Sequence, residues 1–80
     1  MEIFYAETAI RQLKSLERTI RDRIIKKVHV YASQPDPLEF AEPITGIKAY
    51  RFRIGDYRVV FQREKHLIYI LSVRRRDEAY

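Results

Sequence analysis

Residues 50–61 read Tyr50-Arg51-Phe52-Arg53-Ile54-Gly55-Asp56-Tyr57-Arg58-Val59-Val60-Phe61. Two alternating runs flank a Gly-Asp pair, and a Gly-first two-residue connection between such runs predicts a β-hairpin, most naturally with a type II′ turn. The turn fixes the register. Ile54 opposes Tyr57, Arg53 opposes Arg58, Phe52 opposes Val59 and Arg51 opposes Val60. Opposed residues share a face. Tyr50, Phe52, Ile54, Tyr57, Val59 and Phe61 therefore make a core face, and Arg51, Arg53 and Arg58 share the other.

Downstream, His66 to Val73 (HLIYILSV) is apolar on both faces and predicts a third, interior strand of the meander. Upstream, residues 33–46 hold all three prolines and end on Gly46, which predicts a loop. Before it, Ile10, Leu13 and Leu16, then Ile20, Ile24, Val28 and Tyr31, recur near a 3.6 period. These predict two helices hinged near Leu16–Glu17, with one long helix as the alternative, and Glu17/Arg21, Arg18/Asp22 and Asp22/Lys26 as outer-face pairs. Glu2 to Ala6 (EIFYA) predicts a first strand. The expected fold is α+β in the order β-α-α-β-β-β, an antiparallel sheet with two helices packed on one face.

The 80 residues are expected to form one domain spanning 1–80. A chain of this size buries only about 60–65% of its unfolded surface, so its core must be efficient or be completed by a partner. There is no cysteine, which excludes disulfides, thiolate nucleophiles and Cys-based zinc sites. The start of the chain lacks the pattern of a signal peptide, and no apolar run approaches the ~20 residues of a membrane span. A cytoplasmic protein with no membrane association is expected.

The formal charge is +5, and it is concentrated in the second half. Residues 1–40 carry a net +1 and residues 41–80 a net +4. Between Lys48 and Arg76 nine basic residues, seven of them Arg, face only Asp56 and Glu64. Arg is the preferred side chain for bidentate phosphate contact. Arg53 directly opposite Arg58 is a destabilising pair, and nothing on that face of the hairpin is expected to neutralise it. The expectation is an uncompensated anion site, most simply for phosphate. The ending, Arg74-Arg75-Arg76-Asp77-Glu78-Ala79-Tyr80, could fold across this face and bring Arg76 and Tyr80 to it, where a tyrosine can stack a base or offer a hydroxyl.

Other chemistries find no support. The sequence has no P-loop, Gly-rich dinucleotide fingerprint or nucleophile elbow. His29 and His66 have no ligand-spaced partners, so neither a metal nor another cofactor is expected.

The stretch YRFRIGDYRVVF, with Gly46 before it and Val73, Arg76 and Tyr80 after it, resembles the RelE/ParE toxin superfamily. The resemblance spans essentially the whole chain and implies the toxin of a toxin–antitoxin pair. RelE-like members cleave mRNA in the ribosomal A site, without a metal, by attack of a ribose 2′-OH on the adjacent phosphate. By position, the resemblance assigns that cleavage to Arg51, Arg53, Arg58, Arg76 and Tyr80. Several relatives carry Lys where this chain has Arg51 and Arg53, and Arg cannot serve as a base at pKa above ~12. Glu42, in the segment Glu42-Pro43-Ile44-Thr45-Gly46, is the candidate general base. Lys48, Arg74 and Arg75 are candidate RNA contacts. The implied partners are a cognate antitoxin, the ribosome and mRNA. The alternatives are a ParE-like gyrase poison and a catalytically inert RNA- or antitoxin-binding relative.

Overall fold

A computed structural model describes residues 1–77. The hairpin at its centre takes the expected register, with Tyr50–Ile54 as β3 and Tyr57–Glu64 as β4. Gly55 has φ +57° while Asp56 stays at negative φ, as a type II′ turn requires. Phe52 and Phe61 are fully buried and stack at 4.3 Å between ring centroids.

Helix α1 (Glu7–Lys14) and helix α2 (Arg18–Ala32) cover the apolar face of this hairpin. They are separate helices that break at Ser15–Glu17, which settles the choice between two helices and one long one. Ser15 caps α1 by donating its hydroxyl to the Gln12 carbonyl at 2.7 Å, and Glu17 is extended before α2 begins. Neither helix has a side-chain N-cap. They are held chiefly by burying Ala9, Leu13, Ile24, Val28 and Ala32 on the sheet. Of the expected outer-face pairs, Arg18–Asp22 forms an ion pair at 3.7 Å.

The sheet has five strands in the order β1-β5-β4-β3-β2, where β1 is Glu2–Tyr5, β2 is Ala41–Pro43 and β5 is Leu67–Arg75. Two features correct the sequence reading. First, the sheet is mixed. β1 runs parallel to β5, because the helices carry the chain across between them. Second, residues 33–46 are not only a loop. Asp36 accepts the Leu38 amide at 3.2 Å and starts a 3-10 turn over Pro37–Phe40. The edge strand β2 follows, with Glu42 opposite Arg51. Three residues are too few to show a period, and Pro43 is tolerated because only an edge strand can lose an amide donor.

A β-bulge matters more for the site. Val60 pairs with Ser72 but Phe61 pairs with Ile70, leaving Leu71 as an extra residue in β5. Ile68, Ile70 and Val73 thus all face the core, which strict alternation forbids. The same shift turns Arg74 to the open face, opposite Arg58. Among the described residues no helix is long and apolar enough to cross a membrane.

Candidate functional site

Backbone geometry assembles the arginines. The II′ turn opposes Arg53 and Arg58, the β3–β2 pairing sets Glu42 beside Arg51, and the bulge adds Arg74. The amide of Arg76 donates to the Asp56 carbonyl at 2.7 Å, so the segment after β5 is tied to the hairpin turn. Arg76 thereby comes close enough for its charge to act on Arg58.

Arg58 is the centre of the cluster and, at 8% exposure, is counted with the buried residues. Its Nη1 donates to the carbonyls of Tyr57 at 3.1 Å and Gly55 at 3.4 Å, folding the guanidinium back over its own turn. Burial pushes its pKa below the usual guanidinium value. Arg53 and Arg51 push the same way, Glu42 opposes them, and Arg76 adds to the lowering. The group stays charged at neutral pH, but this environment disfavours the charge and leaves it in need of an anion.

The cluster is not uncompensated, which corrects the expectation drawn from the hairpin alone. Glu42 accepts from Arg51 Nε at 3.3 Å and pairs with Arg53 Nη1 at 3.5 Å. One carboxylate thus stands among five guanidiniums. A hollow of about 350 Å³ lined by Pro43, Ile44, Thr45 and Arg51 opens beside it.

The structure therefore brings together Glu42, Arg51, Arg53, Arg58, Arg74 and Arg76. Of the other proposed RNA contacts, one is turned away from this face. Arg75 opposes Tyr57, has the parity of the helix side, and pairs with Asp77 at 3.4 Å. Lys48 is exposed in the turn between β2 and β3. Tyr80 lies outside the described residues. One neighbour had no sequence signal: the Arg23 guanidinium of α2 packs against the turn, 3.5 Å from where a Cβ on Gly55 would stand. Chemically, the arrangement can hold a phosphate in converging Arg donors and stabilise charge that grows on its non-bridging oxygens, with a carboxylate at hand.

Fold and site together define a small α+β protein whose open sheet face carries a cluster of arginines. The family described as "ParE toxin of type II toxin-antitoxin system, parDE" matches residues 3–80, and the chain belongs to it, within the RelE/ParE superfamily. It is a type II toxin–antitoxin toxin. Solved structures agree on the fold. A chain of the RelBE2 toxin–antitoxin complex from Mycobacterium tuberculosis is similar at TM-score 0.84 and 22% identity, over 92% of this chain and 88% of that one. A chain of the RelE–RelB complex from Pyrococcus horikoshii gives 0.72 and 26%, over 98% and 97%. One of the RelB–RelE complex from Methanococcus jannaschii gives 0.70 and 26%, over 94% and 92%. No curated protein sequence matches.

Proposed function

We propose that this toxin is a ribosome-dependent endoribonuclease that cleaves mRNA in the A site. The observation that carries the reading is the buried Arg58 held among Arg51, Arg53, Arg74 and Arg76 with Glu42 in the same cluster. The ribose 2′-OH attacks the adjacent phosphorus, Glu42 takes the hydroxyl proton, and the bond to the 5′-oxygen breaks. That oxygen leaves with a proton from water or from the Tyr80 hydroxyl, and a 2′,3′-cyclic phosphate remains. Charge builds on the non-bridging oxygens, where fixed guanidiniums act best. The ribosome's part is to splay the mRNA into a near-attack geometry, a kind of positioning that can remove ~7–11 kcal/mol of a barrier.

The partner proposed for neutralisation is a cognate antitoxin with an acidic segment that covers the arginines through charge-assisted hydrogen bonds. The similar solved chains come from complexes of toxin with antitoxin. A second reading, a gyrase poison, is favoured by the ParE description of the matching family. Induced expression with mapping of mRNA 5′ ends decides. Codon-phased, in-frame cuts support the nuclease. DNA damage without mRNA cuts identifies the gyrase poison, and growth without arrest identifies an inert binder.

A further inference from the structure

We propose that Phe4 and Tyr69 form a base-stacking platform for single-stranded RNA whose phosphates lie on the arginine cluster; this rests on the RNA-directed reading above. The two residues are direct partners in the parallel β1–β5 pairing, on strands about 4.8 Å apart. They share the open face of the sheet with Arg58 and Arg74, because the bulge at Leu71 sets Tyr69, Ser72 and Arg74 on one side. Their exposures are 52% and 39%. Single exposed apolar residues are ordinary, but two neighbouring exposed rings on the face that carries the arginines are not explained by folding.

The surface between the rings and the cluster fits an RNA strand. Gln62 pairs with Tyr69, and Ser72 pairs with Val60 one step nearer the arginines. Both polar side chains are uncharged and can bond sugar or base edges. From Tyr69 to Arg74 the strand advances about 13–16 Å at ~3.3 Å per residue, a reach of a few nucleotides. At the far end, Leu67 lies between Glu2 and Glu64. With Lys65 beside these carboxylates the charge there is mixed, so the arginine track does not extend past the rings and suits a short single strand rather than a long duplex. Aromatic faces beside a cationic groove are the usual means of holding such strands, and every base can stack. An acidic protein segment would gain the arginines but would leave the two exposed rings without bases to stack on, which is why RNA is the occupant argued here.

The test uses the full chain and an uncleavable 2′-O-methyl hexaribonucleotide with 2-aminopurine placed toward the β1 end. Binding is measured by anisotropy over a salt series, and stacking by quenching of the 2-aminopurine. Tyr69→Ala and Phe4→Leu are each expected to weaken binding about 5- to 140-fold, equivalent to the ~1–3 kcal/mol of one lost stack. They should relieve the quench and leave the salt slope unchanged, while Tyr69→Phe binds as wild type does. Unchanged affinity and quench in both variants, with a salt slope still flattened by Arg58→Met, overturns the platform and leaves the arginine site standing. Variants that bind RNA normally but lose antitoxin affinity overturn it in favour of a protein contact. Wild-type protein with no salt-dependent RNA binding overturns the nuclease reading itself, and the platform with it.

Discussion

Replacing Arg58 by methionine separates the charge from the fold. Methionine keeps much of the packing volume, whereas alanine would leave a gap at a residue only 8% exposed. The variant loses the donors that reach the Tyr57 and Gly55 carbonyls. Hydrogen bonds from a charged donor contribute about 1.5–3 kcal/mol each. Against that loss stands relief of an environment that disfavours the charge, through burial first and then through Arg53 and Arg51. The two effects oppose, so the melting temperature should move only a few degrees in either direction. Activity should not be spared. Losing one preorganised donor to a developing oxyanion costs about 3–4 kcal/mol, or roughly 100–1000-fold in rate. Arg58→Lys keeps the charge without the planar fork and should fall between, about 10-fold below wild type. The assay is single-turnover cleavage of mRNA on programmed ribosomes, with thermal melting followed by circular dichroism. Wild-type rate in Arg58→Met, at unchanged melting temperature, would refute the placement of Arg58 at the reacting phosphate.

Further outcomes follow from single contacts. Glu42→Gln should lower cleavage about 100- to 10,000-fold if its carboxylate takes the 2′-OH proton; a rate within a few-fold of wild type would assign Glu42 to holding Arg51 and Arg53 instead. Gly55→Ala, at φ +57°, should destabilise the fold by about 1–2 kcal/mol, and Gly55→Asn by less, read as urea midpoints; equal midpoints would mean the turn relaxes out of the left-handed region. The Tyr5 hydroxyl is buried without a hydrogen-bond partner among the described residues, so Tyr5→Phe should stabilise by about 1 kcal/mol, a rise of roughly 4–8 °C. Burial raises the Tyr5 pKa above 10.0, so this group's contribution is complete below pH 10.0 and is lost as the pH climbs toward the higher folded value. The advantage of Tyr5→Phe should therefore widen above pH 10.0, and an advantage that stays flat would argue against burial of the phenol.

The hairpin was fully legible because a two-residue turn leaves one register, and alternation then decides every side. Phe52, Val59 and Phe61 fall into the core and Arg51, Arg53 and Arg58 outside it, as residues 50–61 alone require. The helix break near Leu16–Glu17 was only half legible, since Ile10, Leu13, Leu16, Ile20, Ile24, Val28 and Tyr31 keep a near-3.6 spacing that one long helix would also satisfy. What escaped depends on contacts distant in sequence. Glu42 belongs to a three-residue strand whose existence is fixed by β3, not by its own composition. The parallel partner of β1 lies some sixty positions away, and nothing local in EIFYA distinguishes parallel from antiparallel. The bulge did leave a trace. Ile68, Ile70 and Val73 are spaced two and then three apart, which uniform alternation cannot bury together. Read that way, β5 sends Arg74 to the arginine face and Arg75 away from it.

The arrangement explains why a folding cost is retained here. The stacked Phe52 and Phe61 and the II′ turn fix the β3–β4 backbone, so Arg53 and Arg58 cannot separate without disturbing the core beneath them. Glu42 is placed on the edge strand, where it pairs with Arg51 and Arg53. Arg58 instead turns its Nη1 to the Gly55 and Tyr57 carbonyls, which accept its protons without neutralising it. A charge that burial and its neighbours disfavour is therefore held in place by the backbone. An anion entering the cluster gains the interaction that Arg58 lacks, and it meets donors that need little rearrangement. Repulsion tolerated by the free protein becomes attraction for the ligand, and the gain is greatest when the ligand carries the extra charge of a transition state.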